Sequence, residues 1–500
     1  MNKLIFCDLA LWPHFLELCE LASFFKSQNK NVHFVSFKEP ILGNPDNSLN
    51  FLISKFFTKR RLEKINTHLN SKGINAYFLK ACEITDPNVF KKINENKALN
   101  KAIYGTFAGI IQDGLFSENQ PLFKKFKKKN FIQLASVYEI LYKKLNTGNF
   151  DEVVVWNGRR ITSFFVSEVA RSLDIKVSSI ISSQISGKYA YKRYWSDVNS
   201  IIDFTKRIDY LKEQHLKNGF SKEDIKLSNL YYERASGKIK KPNSFSSYGF
   251  YNYSESYKSN NEITNLCNLL KAKKTKIISI FTGTFLEYAS LPGYTDDRLF
   301  KNHYDAVDFL LNAQHPKNTF FILRFHPNQF HLLFNENKRL QEIIHKARSL
   351  RNFRAIKPNS EISSYEIIEL SDKVISIGSS IGVEAVKMNK NVMFLGRNWF
   401  ESIESLYIPK ELKDIKKFIN SPIKNNPNID RDTVLFTKAL FDSDHLFFKY
   451  YTPSNDKNLK TNQIFNNYLD HIICMFSIKL AILSEKLYRL KYKLFRKRKI

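Results

Sequence analysis

Residues 354–400 constrain the fold most. Their apolar residues alternate between the spacing typical of a helix and the spacing typical of a strand. The spacing predicts helix, strand, helix and strand in that order, at Ser364–Leu370, Lys373–Ile377, 383–388 and Asn391–Leu395. Two parallel strands need a long crossover between them, and a helix usually supplies it. Since similar alternation recurs in both halves of the chain, the sequence predicts an α/β fold with parallel sheets.

The predicted strand Lys373–Ile377 ends in a tight turn, Gly-Ser-Ser-Ile-Gly at 378–382. Hydroxyl and backbone N–H groups at a strand end can bind an anion, so Ser379 and Ser380 are candidate phosphate ligands. Glu384 follows in the next helix, where its carboxylate could accept hydrogen bonds from a ribose diol. The alternatives are that the serines only cap the helix and that Glu384 is an ordinary surface residue.

A second predicted strand end lies in FILRFHPN at 321–328. His326 can donate to a phosphate, Pro327 rigidifies the turn, and Asn328 can cap a helix or donate. The element lies about 50 residues before the serine turn. We therefore expect both to serve one anion site in one sheet.

The charge balance predicts an anionic partner. The 500 residues include 78 Lys and Arg against 48 Asp and Glu, a formal net charge of +30. An AT-rich genome would account for part of the lysine excess, and the rest suits a nucleotide-sugar, an acidic glycan or a membrane surface. No nucleic-acid-binding motif is present, so no nucleic acid is expected. Arg324 and Arg397 are candidates for neutralising a pyrophosphate or a sugar acid, or else belong to structural ion pairs.

Cysteine usage and hydropathy predict a cytoplasmic protein. The five cysteines are scattered and match no disulfide or zinc pattern, which favours a reducing compartment. The N-terminal apolar run lacks the length and cleavage site of a signal peptide, and we interpret it as a buried strand. No uninterrupted run of about 18 apolar residues occurs, so no transmembrane helix is expected.

The length and the alternation predict two domains. Strand and helix patterns fill residues 1–241, a stretch containing a Tyr-, Ser- and Asn-rich segment covers 242–270, and alternation occupies 271–455. Residues 456–500 form a basic helical tail by pattern. The predicted architecture is therefore two Rossmann-like α/β domains, an interdomain linker and a tail.

The motifs Arg-x-His-Pro-Asn, Ser-Ser-Tyr and Gly-Ser-Ser-x-Gly-Val-Glu-Ala, with a following strand that ends in Leu-Gly-Arg, resemble those of bacterial capsule polysaccharide biosynthesis proteins. These proteins include the Kdo transferases of capsule assembly. The resemblance covers about residues 275–400 and does not reach the tail. It implies a glycosyltransferase of the GT-B type, with two Rossmann-like domains facing across a cleft. The substrates would be a nucleotide-sugar donor and a capsular or lipopolysaccharide-type glycan acceptor.

The resemblance also implies donor-site residues in the second domain. His326 would contact the nucleotide phosphate. In FTGTFLEY at 281–288, Thr282, Thr284 and Glu287 match a Thr-Ser-Ser-x-x-Glu turn of the family near the donor, with Gly283 in place of a hydroxyl residue.

In the first domain, Asn157 and Arg159 belong to an Asn-Gly-Arg turn similar to one that faces the cleft in related proteins. The family's acidic residue after the next strand is replaced here by Ser183 and Gln184. An inverting transfer needs a general base, and Asp8 and His14 flank the predicted end of the first strand. Further candidates for this base are Asp113 and Glu287.

No Asp-x-Asp metal motif is convincing, so we expect no obligatory metal and no other cofactor. Helix N-termini and basic groups would instead stabilise the leaving phosphate.

The residue pattern of the tail predicts contact with a membrane. Residues 462–500 repeat apolar residues at helical spacing, and nine Lys or Arg follow residue 478 against one acid, Glu485. A basic amphipathic helix suits an anionic bilayer, so we expect the protein at the inner face of the plasma membrane, near a lipid-linked acceptor. The alternative is an ordinary C-terminal helix packed on the protein.

Two other functions stay open. Nucleotide-sugar 2-epimerases share the two-domain shape and a similar His-Pro element, although they would not need a basic tail. A non-catalytic capsule assembly or export protein with a decayed site also fits. The residues do not specify the donor sugar, the acceptor, the linkage or the stereochemistry of transfer.

Overall fold

The structure contains two separate sheets with helices on their faces. It is a computed structural model that describes residues 2–7, 15–37, 62–63, 65–82, 84, 86–158, 161–182, 188–193, 201–236, 261–288, 299–398, 400–441, 444–447, 486, 489–490 and 492–493.

The first sheet has seven strands in the order β13-β6-β5-β4-β1-β2-β3. Its strands are β1 Asn2–Cys7, β2 Asn31–Phe37, β3 Asn75–Leu79, β4 Glu152–Trp156, β5 Lys176–Ser182, β6 Lys188–Arg193 and β13 Asp444–Phe447. The five strands from β5 to β3 are parallel, and β6 and β13 add an antiparallel edge. The helices of the first half of the chain are α1 Phe15–Ser27, α2 Pro87–Glu95, α3 Lys97–Ile111, α4 Pro121–Thr147 and α5 Ile161–Arg171.

The central strands of this sheet are apolar because both faces are covered. Leu4 and Phe6 pack into the core beneath α2 to α5, whereas Ile5 packs into the core beneath α1. One charged pair interrupts this pattern, since Lys3 on β1 bonds to Glu152 on β4 and both side chains are fully buried. The pairing is required there, because an unpaired charge at this depth would be strongly destabilising.

The second sheet has six parallel strands in the order β12-β11-β10-β7-β8-β9. Its strands are β7 Lys276–Thr282, β8 Thr319–Arg324, β9 Phe353–Ile356, β10 Lys373–Ile377, β11 Asn391–Leu395 and β12 Leu406–Tyr407. The remaining helices are α6 Ile201–Asn218, α7 Lys222–Ala235, α8 Asn261–Ala272, α9 Phe285–Tyr288, α10 His303–Asn312, α11 Phe334–Ser349, α12 Ser364–Leu370, α13 Ile381–Lys387, α14 Leu412–Asn420 and α15 Ile429–Phe441. A 3-10 helix, Pro327–His331, follows β8.

The predicted α/β class with two sheets is confirmed. The helix Ser364–Leu370 and the strands Lys373–Ile377 and Asn391–Leu395 have the predicted bounds. The helix expected over 383–388 begins earlier, at Ile381, so it takes in the last two residues of the predicted glycine turn.

The chain passes between the two sheets more often than the pattern suggests. Tyr231 and Tyr232 of α7 pack in the core of the second sheet, and the Tyr232 hydroxyl donates to the Thr433 carbonyl at 3.3 Å. Conversely, β13 pairs with β6 in the first sheet. The bounds drawn from the sequence place 201–235 in the first domain and 444–447 in the second. In the structure, residues of 201–235 pack in the core of the second sheet, and 444–447 pairs with a strand of the first sheet. Part of the predicted linker, Asn261–Ala272, is helix α8.

Two described residues of the tail, Arg489 and Tyr492, lie against the protein. Tyr492 is 2% exposed and contacts Phe107 of α3 and Phe334 of α11, with ring centroids 6.2 and 4.8 Å apart. Arg489 donates to the Ile110 carbonyl at 2.7 Å. The described residues 489–490 and 492–493 therefore support the alternative of a packed C-terminal segment, and most of the predicted tail helix lies outside the described residues. Within the part of the chain that the structure describes, no helix is both long and apolar enough to cross a bilayer.

Candidate functional site

Three strand ends of the second sheet meet at its carboxyl edge, because β10, β7 and β8 are neighbours in the sheet. The Gly283 N–H, just past β7, donates to the Ile377 carbonyl at the end of β10 at 2.7 Å. A Cβ atom on Gly283 would lie 2.6 Å from the Gly378 carbonyl oxygen, which is closer than atoms can approach. The turns after β7 and β10 are thus in direct contact, and only glycine fits at position 283.

His326 lies on the third of these strand ends, beside the turn after β7. Its Nδ1 accepts from the Asn328 N–H at 3.1 Å and lies 3.2 Å from the Thr284 hydroxyl. Because Nδ1 acts as an acceptor, the neutral ring carries its hydrogen on Nε2. The structure therefore brings Thr284 next to His326 and Asn328, and the role of the three residues in donor binding stays a prediction.

Gln329 is a supporting residue that the sequence analysis missed. Its side chain is 1% exposed, and its Oε1 accepts from the Thr282 hydroxyl at 2.8 Å and from the His326 N–H at 2.9 Å. Thr282 is thus buried beneath the site and positions it through Gln329. The sequence contained a pattern that could have identified Gln329, because it follows the helix-capping residue His326 by three residues, which is the spacing of a capping box.

The serine turn lies at the same edge. Ser379 and Ser380 are half-buried, and the Ser379 carbonyl accepts from the Ser376 hydroxyl at 2.7 Å. Ser380 begins α13 without a side-chain cap, whereas the Ser379 hydroxyl accepts from the Ile381 N–H at 3.5 Å. Ser379 therefore makes a long capping contact, and the ligand role of the two serines stays a prediction.

Glu384 is neither an ordinary surface residue nor open to solvent. It is 7% exposed, the Tyr365 hydroxyl donates to one of its oxygens, and the Ser380 hydroxyl lies 3.5 Å from the other. Burial raises the pKa of Glu384, against the lowering effect of the hydrogen bonds from Tyr365, Ser380 and Tyr231. Since Glu384 already serves to order the turn, its contact with a ribose stays a prediction.

The two arginines have structural partners. Arg324 is 1% exposed, and its guanidinium donates to the Lys357 carbonyl and, at 3.0 Å, to the Ser360 carbonyl. It holds the loop after β9, which favours a structural role for Arg324 over the role of a phosphate ligand. Arg397 forms an ion pair with Glu401 at 2.9 Å, the alternative that the sequence left open.

His303 is a second residue that the sequence analysis missed. Its ring packs against Gly378, which has a φ of 64°, and a Cβ atom on Gly378 would collide with the ring. Burial lowers the pKa of His303 to about 4, against a hydrogen bond with the Gly283 backbone, so the ring is neutral at physiological pH. No motif marks His303, because it is brought to the turn only by the packing of α10.

Asp113 does not have the surroundings of a general base. It is fully buried, and its carboxylate accepts from the N–H groups of Leu115, Asn335 and Glu336 at 3.0, 3.1 and 3.2 Å. Two of these donors belong to the first turn of α11, so a residue from the first half of the chain caps a helix of the second. The role predicted for Asp113 as a reserve base is therefore corrected to a structural one.

The predicted acceptor side is described only in part. Asn157 follows β4 with a φ of 56°, and its N–H donates to the Ile180 carbonyl at 3.0 Å. Asp8, His14 and Arg159 lie outside the described residues, as does the side chain of Glu287, which belongs to α9. Among the residues that the structure describes, no group of three or more His, Cys, Asp or Glu side chains could hold a metal ion.

Several solved structures are similar to this chain at low identity. KpsC of Thermosulfurimonas dismutans, a beta Kdo 2,7 transferase, is 15% identical with a TM-score of 0.33, over 61% of this chain and 79% of that one. Kdo transferases are thus among the structures that resemble this protein. The UDP-GlcNAc 2-epimerase of Neisseria meningitidis is 13% identical with a TM-score of 0.25, over 89% and 100%. MurG of Acinetobacter baumannii is 10% identical with a TM-score of 0.25, over 95% and 99%.

No protein-family profile matches the chain, and no curated protein matches it in sequence. The three structures named above have TM-scores of 0.33, 0.25 and 0.25, and at this level of similarity they do not identify an activity for this chain.

Proposed function

We propose that this protein is a glycosyltransferase that moves a sugar from a nucleotide-sugar donor to a surface glycan. The observation that carries the proposal is the convergence of three strand ends, after β7, β8 and β10, on one edge of a parallel sheet. Ligands of parallel α/β sheets bind at this edge. The edge presents hydroxyl, imidazole and backbone N–H groups, which are the donors that a phosphate requires.

The donor phosphates would lie between His326 and the turn of Ser379 and Ser380. The hydrogen on His326 Nε2 and the hydroxyls of the two serines would donate to phosphate oxygens, while the Thr284 hydroxyl, beside His326 Nδ1, would hold the imidazole in place. The same donors would stabilise the charge that develops on the phosphate as the sugar leaves. Since they are neutral and already positioned, the net charge of +30 would act over a longer range, by attracting the anionic donor.

The acceptor would bind at the carboxyl edge of the first sheet. Asp8 and His14 follow β1 in the sequence, and Asn157 and Arg159 follow β4, which is the direct neighbour of β1. This adjacency supports one acceptor site formed by the two strand ends, with Asp8 or His14 as the base that takes the acceptor proton.

We propose that the protein lies at the cytoplasmic face of the membrane and is held there by the tail residues that precede Arg489. A lipid-linked acceptor would make this useful, because the enzyme and its substrate would then share a surface. The basic residues of the tail favour an anionic leaflet.

The test is a transfer assay with purified full-length protein, sugar-labelled UDP- and CMP-sugars, and glycan or lipid-linked glycan acceptors. Label that moves to the acceptor supports the proposal. Sugar with inverted configuration at C2, either free or still attached to its nucleotide, would instead identify a nucleotide-sugar 2-epimerase. No turnover with any donor would favour a non-catalytic assembly protein.

A further inference from the structure

A chain of buried hydrogen bonds joins the two halves of the protein to the candidate donor site. Gln329 accepts a hydrogen bond from the His326 N–H, and its own Nε2 donates to the Tyr304 hydroxyl at 3.4 Å. That hydroxyl donates to Glu336 Oε1 at 2.9 Å. The other carboxylate oxygen, Oε2, accepts from the Gly114 N–H at 2.6 Å. A fully buried carboxylate of α11 thus connects the turn at 112–115 to the end of β8.

The turn at 112–115 fits closely against this carboxylate. A Cβ atom on Gly114 would lie 2.9 Å from Glu336 Oε2 and 3.1 Å from the ring of Phe285, the residue after Thr284. The Leu333 N–H donates to the Gln112 carbonyl at 2.8 Å, and Asp113 caps α11. The junction therefore has no spare volume, and a change at Glu336 must be accommodated by the groups that it contacts.

The direction of the hydrogen bonds depends on the charge of Glu336. As a carboxylate it accepts from both Gly114 and Tyr304, and every donor in the chain has an acceptor. As a carboxylic acid it must donate one hydrogen, although both of these neighbours are themselves donors. A hydrogen toward Tyr304 would turn the tyrosine hydroxyl toward the Gln329 amide, which also donates there. The Gln329 amide would then face a second donor and would have to move. Its movement would weaken the hydrogen bonds that its Oε1 accepts from the Thr282 hydroxyl and from the His326 N–H.

Burial raises the pKa of Glu336 to about 7, against the hydrogen bonds from Gly114 and Tyr304, and the charge of Asp113 adds to the increase. The titratable groups that interact with it are Asp113 on the turn, Tyr104 of α3 and Tyr304 of α10, and the cation Arg339 follows three residues later on its own helix. Arg339 is engaged by Asp308 at 2.8 Å, and the Tyr104 hydroxyl donates to the Gly114 carbonyl at 2.7 Å. Both protonation states are therefore populated near neutral pH.

We infer that Glu336 is a positioning residue, which in its ionised form holds His326 in place through Tyr304 and Gln329 and in its protonated form releases it. The part of this inference that concerns nucleotide binding rests on the function proposed above. The part that concerns the His326 backbone does not.

The first test needs no ligand. Amide hydrogen exchange of the peptide around His326 is measured at pH 6 and pH 8 and corrected for the intrinsic exchange rate. In the wild type, protection of the His326 amide should be about fivefold to tenfold higher at pH 8, the factor expected for one neutral hydrogen bond. In Glu336→Gln, which cannot ionise, protection should be low and equal at both pH values.

Glu342→Gln is the matched control, because Glu342 lies on the same helix, is 49% exposed and contacts only surface cations among its described ion-pair partners. It should behave as the wild type. Tyr304→Phe breaks the chain at its middle and should lower His326 protection at both pH values, which keeps the test decisive if Glu336→Gln folds poorly. A pH response that persists in Glu336→Gln, or equal protection in Tyr304→Phe and wild type, would overturn the inference.

The second test measures UDP and CMP binding by calorimetry at the same two pH values. Wild-type affinity for the nucleotide that binds should rise from pH 6 to pH 8, and the rise should be absent in Glu336→Gln. If His326 protection follows Glu336 but neither nucleotide binds at any pH, the proposed function fails and the positioning of His326 stands. If a nucleotide binds equally at both pH values, the link from Glu336 to the donor site is refuted.

Discussion

At the scale of single residues, the candidate site depends on atoms that nearly touch. A Cβ atom on Gly283 would meet the Gly378 carbonyl oxygen, the His326 N–H donates to the buried Gln329 side chain, and His326 Nδ1 accepts from the Asn328 N–H. Adding or removing one atom at such positions changes the stability of the protein, because the interior is close-packed.

Gly283→Ala should destabilise the protein. The new methyl would lie 2.6 Å from the Gly378 carbonyl oxygen, so the turns after β7 and β10 must separate, at a cost of about 1–3 kcal/mol. Gly109→Ala is the control, because no atom lies within 4 Å of a Cβ there and the position is in helix α3. Urea unfolding should show a loss for the first variant and no loss for the second. Equal stability of both would mean that the two turns are not in contact.

His326→Ala should weaken nucleotide binding by about 1.5–3 kcal/mol, which is typical of a lost hydrogen bond to a charged group. His345→Ala is the control, since His345 is exposed on α11. Calorimetry with UDP and CMP compares the variants, and circular dichroism verifies the fold. Unchanged affinity in a folded His326→Ala protein would remove His326 from the donor site.

At the scale of secondary-structure elements, α11 stands out because its N-terminal end is capped from a distant part of the chain. Leu333, the residue before α11, makes no side-chain cap, and Asp113 supplies the missing acceptor. The helix therefore begins correctly only when the turn at 112–115 is in place.

Asp113→Ala should lower the free energy of unfolding by about 1–2 kcal/mol, as for the loss of a helix cap. Asp113→Asn should lose less, because asparagine is also a good cap. Urea unfolding gives the stabilities, and the transfer assay gives turnover. Native stability with abolished turnover in Asp113→Asn would instead indicate a catalytic base.

The buried carboxyl of α11 predicts how stability depends on pH. The pKa of Glu336 is raised from its ordinary 4.5 to about 7, so between these values the folded protein keeps a proton that the unfolded chain releases. This contribution to the free energy of unfolding is fully present below pH 4.5 and is lost as the pH rises through 7, by about 3 kcal/mol in all. Glu336→Gln should lack it. Identical pH profiles of wild type and variant in urea unfolding would contradict the prediction.

At the scale of the whole molecule, the two sheets are joined at several places by distant segments. Helices α6 and α7 pack on the second sheet, β13 returns to the first, and Tyr492 contacts both α3 and α11. The two units are therefore expected to unfold together rather than one by one.

Tyr492→Ala should destabilise the protein by about 3 kcal/mol, because a large ring that is 2% exposed leaves a cavity between α3 and α11. Leu490→Ala, two residues away and 53% exposed, should change little. Thermal unfolding of both variants measures the difference. The same melting temperature for both would show that the tail does not dock there.

The tail should also bind anionic vesicles, and salt should weaken this binding because it screens the charges. Co-sedimentation compares full-length protein with a protein that ends at residue 460, on neutral and on anionic lipid. Equal sedimentation of the two proteins, or no preference for anionic lipid, would leave the tail with a packing role only.

The sequence by itself determined the class of the fold and the local elements around the site. The bounds of Lys373–Ile377 and Asn391–Leu395 follow from short apolar runs ended by glycine or polar residues, which is information held within a few neighbours. The site was predictable to the same degree, since His326 and Asn328 lie within one turn of each other. Thr284 was found differently, through the resemblance of residues 281–288 to a turn of the capsule polysaccharide family.

Only the tertiary structure decided what depends on distant segments. Arg324 looked like a phosphate ligand until the loop at 357–360 was seen to take its guanidinium. Asp113 looked like a base until α11 was found at its carboxylate. Local spacing cannot reveal such partners, because the groups that satisfy a buried charge or a helix end can lie more than 200 residues away in the chain.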